Sequence, residues 1–271
     1  MDNYIAKDFG KLLKQNLLQL RGFFNDTDTN IGRLYDYNMS DLPISVDLWG
    51  PYLLIGGRID PSFKDEIGAV ASSMAYVPPE KVLFPGEGSG ITIDVKEHGL
   101  TYQVELGWPN AILPLTETLL RREVLVGSLG KRVLVVGARG GGFSVCGASG
   151  GAHSVVSSEH NQGLRQYCIR NLSRNRFRGD LYPCSNLGLE EALTTKGKYD
   201  LIVIDTTSWK GGNFRTLHNS GLELLNKGGH LLFITDNTTL NLQTKEIGLQ
   251  LMPEGFTTKR FKMRCWISPK P

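Results

Sequence analysis

The chain has 271 residues, 40% of them hydrophobic, with 30 Lys and Arg against 27 Asp and Glu for a net charge of +3. That is enough chain to bury a sizeable core in one large domain or two modest ones; the composition is that of an ordinary soluble globular protein, and the mildly basic balance tolerates a polyanionic partner without announcing one. The four cysteines, Cys146, Cys168, Cys184 and Cys265, show neither C-x-x-C nor framework spacing, and the five histidines form no pair at helical spacing. No metal and no disulfide scaffold are expected, and a reducing cytoplasm is the expected compartment. No apolar run approaches membrane-spanning length, and Met1-Asp2-Asn3-Tyr4 carries no basic-then-apolar signal.

From Tyr4 to Phe24, apolar Ile5, Phe9, Leu12, Leu13, Leu17, Leu18 and Leu20 alternate with Lys and Gln at helical spacing, and Asn25 to Asn30 ends the helix. Arg33 to Tyr37, Leu42 to Trp49 and Tyr52 to Ile55 read as extended segments, the last two joined at Gly50-Pro51 as a hairpin. A helix over Phe63 to Tyr76 stops before Pro78-Pro79, and Val82 to Phe84 is a short strand. A second hairpin, Ile91 to Val95 and Leu100 to Leu106, turns at His98-Gly99 and closes an N-terminal region at about residue 109.

Thr116 to Leu129 is helical and runs into the stretch that organises the rest of the chain. Val133-Leu134-Val135-Val136 opens into Gly137-Ala138-Arg139-Gly140-Gly141-Gly142, a helix begins at Phe143-Ser144, and a second apolar run ends at Ser157-Ser158-Glu159-His160. This is strand, glycine turn, helix and strand, with a carboxylate at the second strand's tip able to accept both hydroxyls of a ribose. Glycines after a strand also serve tight helix packing, and the weaker alternative for Glu159 is a neighbour of a helix N-cap. The spacing lacks the usual dinucleotide fingerprint and no Lys-Ser/Thr follows, so a nucleoside without pyrophosphate, such as S-adenosylmethionine, fits better.

Beyond Glu159 the pattern alternates. Helices are expected over Asn161–Asn175, Leu187–Thr195, Thr216–Leu225 and Leu242–Leu251. Strands are expected over Asp180–Tyr182, Tyr199–Asp205, His230–Thr235 and, as a closing pair, Thr257 to Ile267. Alternation of this kind implies a doubly wound, mostly parallel α/β sheet with ligands at the carboxyl ends of its strands. The expected division is residues 1–109, a small α+β region, and 110–271, the Rossmann-like domain.

The residues Arg33-Leu34-Tyr35-Asp36, Gly141-Gly142-Phe143-Ser144, Thr235-Asp236-Asn237 and Cys265-Trp266-Ile267 resemble the bacterial large-subunit ribosomal RNA methyltransferases that use S-adenosylmethionine. The resemblance spans nearly the whole chain and is nearest to the guanine-N7 half of the bifunctional enzyme. The related cytosine-C5 branch carries a Cys nucleophile after the strand beginning at His230, where this chain has Thr235 to Thr238, so covalent thiolate chemistry is disfavoured. Compared with the family pattern, Val135 stands for Asp or Asn, Thr116 and Thr118 for Asp and Arg, and Asp205-Thr206-Thr207 for Asp-Pro-Pro; an acid near Ser185 is missing.

The resemblance implies a class I methyltransferase sheet. Gly137, Arg139, Gly140, Gly141, Gly142, Phe143 and Ser144 would line the cofactor, Glu159 and His160 its ribose, and Ser185 or Asn186 its adenine. Asp205, Thr206 and Thr207 would face the methyl group and Asn237 the base edge. Asp205 could instead merely cap a loop, and Trp209 could stack a flipped base or sit in the core. Arg121, Arg122, Arg165, Arg170, Arg174, Arg176 and Arg178 could form a phosphate-binding surface or a solvated face. The implied substrate is RNA, with residues 1–109 as a candidate recognition domain; a catalytically silent RNA-binding or assembly factor is the alternative. A nicotinamide oxidoreductase on a similar sheet is weaker, because the match includes the N-terminal hairpins.

Overall fold

The computed structural model describes residues 3–207, 209, 211–247 and 264–270. The chain separates into two compact units, one formed by the residues up to Pro109 and one that begins at Asn110.

In the first unit, α1 (Asn3–Asp26) and α2 (Lys64–Ala75) accompany a sheet of β1 (Ile31–Asp36), β2 (Ile44–Trp49), β3 (Tyr52–Gly57) and β4 (Val82–Leu83). The first three strands are antiparallel and β4 runs parallel to β3. The helical period delivers Phe9, Leu13 and Leu20 of α1 and Ile67 and Ala71 of α2 to a core shared with Val46, Leu53 and Ile55. The hairpin of β5 (Thr92–Glu97) and β6 (Leu100–Glu105) forms its own two-stranded sheet. The Arg33-Leu34-Tyr35-Asp36 segment is structural: the Arg33 fork grips Asp47 at 2.7 and 3.0 Å and reaches Asp36 at 3.2 Å.

The second unit contains α3 (ending at Ile112), α4 (Thr118–Gly127), β7 (Arg132–Val136), α5 (Gly142–Ser149), β8 (Ser154–Ser158) and α6 (Gln162–Arg174). There follow β9 (Cys184–Ser185), α7 (Leu189–Ala192), β10 (Tyr199–Asp205), α8 (Phe214–Leu224), β11 (Leu225–Thr235), β12 (Lys245–Glu246) and β13 (Arg264–Pro269). The seven strands lie in the order β12-β13-β11-β10-β7-β8-β9. The pairs from β11 to β9 are parallel, and β13 is antiparallel to both its neighbours. From β7 the chain winds outward through β8 to β9 and then returns to β10 on the other side of β7. The β7/β10 boundary is therefore the point where winding reverses and a crevice opens at the strand tips. Central Val133, Val135, Ile202, Val203 and Ile204 are wholly buried, as expected for strands covered on both faces.

Three sequence expectations shift. The strand expected at Asp180–Tyr182 forms instead at β9, Cys184–Ser185. Its backbone already runs along β8 from Leu181, whose carbonyl accepts from Val155 N at 2.9 Å, but Pro183 has no N–H to continue the ladder. The helix expected over Leu187–Thr195 is the single turn α7. The helix expected over Leu242–Leu251 is absent as far as Ile247: Leu240 and Leu242 are buried in the core and Lys245–Glu246 pair with the β13 edge instead, so tertiary pairing overrides local propensity. Residues 248–251, and the first strand of the expected closing pair up to Met263, lie outside the described residues.

Candidate active site

The glycine turn is shaped by its neighbours. Gly137 and Ala138 donate backbone hydrogens to Ser158 O at 3.1 and 2.9 Å, tying the tip of β7 to that of β8. Gly137 has φ +75°, and a side-chain carbon there would lie 2.3 Å from the Asp205 carbonyl oxygen. Gly141 has φ +86° and backs onto Cys168 of α6, while Asn171 Nδ2 donates to Gly140 O at 2.8 Å. Close packing against β10 and α6 is thus itself a reason for glycine at these positions.

Two carboxylates face each other across the turn. Glu159, only 2% exposed, accepts from Arg139 N and from Asn161 N, both at 2.8 Å. Asn161 in turn caps α6 by accepting from Leu164 N at 3.1 Å. Asp205, equally buried, accepts from Thr207 N at 2.9 Å and from Arg139 Nε at 2.6 Å, while a terminal nitrogen of Arg139 donates to the Thr207 hydroxyl. Arg139 thus spans the β7/β10 crevice from an unusual left-handed backbone, φ +48°. Burial works against its charge, but Asp205, Glu117 and Glu159 outweigh that effect and hold its pKa above the ordinary value.

Glu117 and Arg121 complete the lining, and the sequence reading did not place them in the site. Their ion pair at 3.3 Å is buried, and Arg121 also donates to Pro114 O at 2.8 Å. Arg121 is wholly buried, which removes it from the proposed phosphate-binding surface. The available signal was the i,i+4 acid–base spacing at the start of a helix. Of the remaining arginines in that group, Arg122, Arg170, Arg174, Arg176 and Arg178 are exposed and Arg165 is half-buried.

The other expected site residues are distributed unevenly. Phe143 is buried and lines the same small cavity as Gly137, Arg139 and Gly142. Ser144 is wholly buried, and its hydroxyl accepts from Ser157 Oγ at 2.8 Å, facing the sheet. His160 is exposed, 3.5 Å from Glu159. Ser185 bonds the Ser157 carbonyl at 3.2 Å, and Asn186 is exposed. The Thr206 hydroxyl donates to Ile234 O, and Asn237 Oδ1 accepts from Thr239 N and Leu240 N, so both build the loops after β10 and β11. Trp209 meets Phe214 edge-on at 5.4 Å and packs against the buried core of the sheet. Cys168 is raised above the ordinary thiol range by its hydrogen bond with Cys184 and by burial, and Cys265 by burial, so neither is a ready thiolate. Among the described residues no cluster of His, Cys, Asp or Glu could hold a metal, and no helix is long and apolar enough to cross a membrane.

A glycine turn, a buried carboxylate at the second strand tip and a second carboxylate at the switch point are groups that a nucleoside ligand could use. Each Glu159 oxygen accepts one backbone hydrogen and retains a lone pair for a ribose hydroxyl. The charged groups around the turn are the carboxylates Glu117, Glu159 and Asp205 and the guanidiniums Arg121 and Arg139. A predominantly acidic set of this kind suits a cationic ligand such as S-adenosylmethionine, whose sulfonium and ammonium outweigh its carboxylate. In chemistry the residues fit this group, and Arg139 lines a cavity of about 10 Å³ with Glu117, Phe143 and Asp205.

Fold and donor set define a class I methyltransferase of the doubly wound type. Residues 76–251 match the model of the S-adenosylmethionine-dependent methyltransferase family, and the chain belongs to that family. Over 96% of its length it is 26% identical to the ribosomal RNA large subunit methyltransferase K/L of Alteromonas mediterranea, of which it spans only 44%. A protein assigned as a methyltransferase and solved with S-adenosylhomocysteine superposes with a TM-score of 0.79 at 19% identity, over 97% of this chain and 81% of that one. One from Streptococcus mutans, assigned as S-adenosylmethionine-dependent, gives 0.76 at 18% identity over the same shares.

Proposed function

We propose that this chain transfers a methyl group from S-adenosylmethionine to RNA, to a guanine N7 of large-subunit ribosomal RNA, with Asp205 and Thr207 facing the reacting groups and residues 1–109 contributing to RNA recognition. The observation that carries the reading is the pair of buried carboxylates, Glu159 and Asp205, on the two strand tips flanking β7. The substrate class is supported by the printed function of the Alteromonas relative, a ribosomal RNA methyltransferase matched along 96% of this chain.

Guanine N7 already presents a lone pair, so no covalent catalyst is needed, consistent with threonines and an asparagine where the C5 branch carries its cysteine. The cofactor supplies an electrophilic methyl group on a sulfonium. The chain's part is alignment: Glu159 holds the ribose, the glycine turn fixes the amino-acid end, and Asp205 offers negative charge beside the transferring carbon. Alignment of this kind contributes about 7–11 kcal/mol to barrier lowering. Exposed Arg170, Arg174, Arg176 and Arg178, at and just after α6, offer phosphate contacts.

The alternative, a catalytically silent RNA-binding descendant, is favoured by one observation: the Thr206 hydroxyl at the position of the family's first proline is committed to Ile234. Calorimetric titration with S-adenosylmethionine and S-adenosylhomocysteine, followed by methyl transfer to ribosomal RNA from a strain lacking the gene, separates the two. Micromolar binding and methylated guanine are expected; a folded sample that binds neither ligand refutes the enzyme.

A further inference from the structure

We infer that Arg139 is a resident competitor for the cofactor: its guanidinium holds the cation position on Asp205 and must leave before the cofactor can enter. The inference rests on the cofactor-binding reading above. Three observations carry it. The guanidinium bridges Asp205, at 2.6 Å from Nε, and the Thr207 hydroxyl, across the crevice where the winding of the sheet reverses. The small cavity that Arg139 lines with Glu117, Phe143 and Asp205 holds about 10 Å³, the space of a single water. The residue's backbone N–H is independently fixed to Glu159 at 2.8 Å, so the side chain can swing out while the turn and the ribose-binding carboxylate keep their geometry.

Asp205 is almost wholly buried, and a buried carboxylate stripped of its counter-ion is strongly disfavoured. The group that displaces Arg139 is therefore favoured if it brings a positive charge of its own. The sulfonium of S-adenosylmethionine does so; the neutral thioether of S-adenosylhomocysteine does not. Asp205 thus exchanges one cation for another when the methyl donor binds, and the demethylated product leaves a site that Arg139 can reclaim. Arg139 sets overall affinity, and Asp205 sets the preference for donor over product.

The test is calorimetric titration of the whole chain and its Arg139→Gln, Arg139→Lys and Asp205→Asn variants with both ligands, with thermal unfolding of the apo and ligand-saturated forms. Arg139→Gln should bind both ligands about tenfold more tightly, the gain expected if the open form is on the order of a tenth of the wild-type population. Arg139→Lys, which keeps a cation opposite Asp205, should stay near wild type. In Asp205→Asn the donor-over-product preference should collapse towards unity. Apo Arg139→Gln should melt below wild type, and saturation should close that gap. A merely structural Arg139 would lower affinity when removed. Wild-type binding with equal or weaker binding by folded Arg139→Gln overturns the competitor role alone. No binding by either protein overturns it together with the cofactor-binding reading.

Discussion

Replacing Glu159 by Gln tests the site at its most connected side chain. The carboxylate is 2% exposed and accepts from two backbone amides 2.8 Å away, Arg139 N and Asn161 N, one on its Oε2 and the other on its Oε1. A carboxamide of the same shape has one acceptor oxygen, so its NH2 must oppose one of those two donors. Charge-assisted hydrogen bonds contribute about 1.5–3 kcal/mol, and a buried amide left without an acceptor costs about 1–3 kcal/mol. A total of about 2.5–6 kcal/mol corresponds, for a unit of this size, to a fall in Tm of roughly 5–24 °C. Loss of the charged partner to the ribose should weaken S-adenosylmethionine binding about 10- to 150-fold. Differential scanning calorimetry of apo protein gives the first quantity and ligand titration the second. A variant melting within about a degree of wild type with unchanged affinity would mean that the two backbone hydrogen bonds to Glu159 contribute nothing to the fold and that the residue is not part of the site.

Two further changes address packing and titration. Gly137→Ala would put a carbon 2.3 Å from the Asp205 carbonyl at φ +75°, whereas Gly179→Ala, at φ +86° with nothing within 4 Å, bears only the backbone penalty. Gly179→Ala should cost about 1–2 kcal/mol and Gly137→Ala distinctly more in chemical unfolding; equal losses would refute the close approach of β7 and β10. His218 is buried beside Ser268, 2.9 Å from Nε2, and burial lowers its pKa despite an opposing hydrogen bond with Asn219. Below the unfolded value of about 6.5 the unfolded chain takes up a proton that the folded chain refuses. The stability present above that value should therefore fall as pH drops through it, by at most about 1.4 kcal/mol per pH unit. His218→Gln should flatten that dependence between pH 7 and 5, and identical slopes in denaturant melts would remove His218 as the source.

Local signals made much of this protein legible. The period of Phe9, Leu13 and Leu20 specifies a helix with one buried face, and the unbroken Tyr199–Asp205 run specifies a strand covered on both. The glycine turn followed by Glu159 is the local pattern that points to a nucleoside ligand, because few residue types tolerate positive φ and a carboxylate has an oxygen for each of two ribose hydroxyls. These are properties of short stretches, so they survive without knowledge of the fold. Pairing is different. Leu240 and Leu242 could sit on a helix or in a core-facing loop, and the edge of β13 decided for the loop. Arg121 looked like a surface cation until the fold buried it against Glu117, 3.3 Å away. Arg139 was legible as a member of the glycine turn, but its bridge to Asp205 joins residues sixty-six positions apart. No local pattern encodes that contact: the doubly wound topology brings the tips of β7 and β10 together, and a buried carboxylate there requires a positive charge beside it.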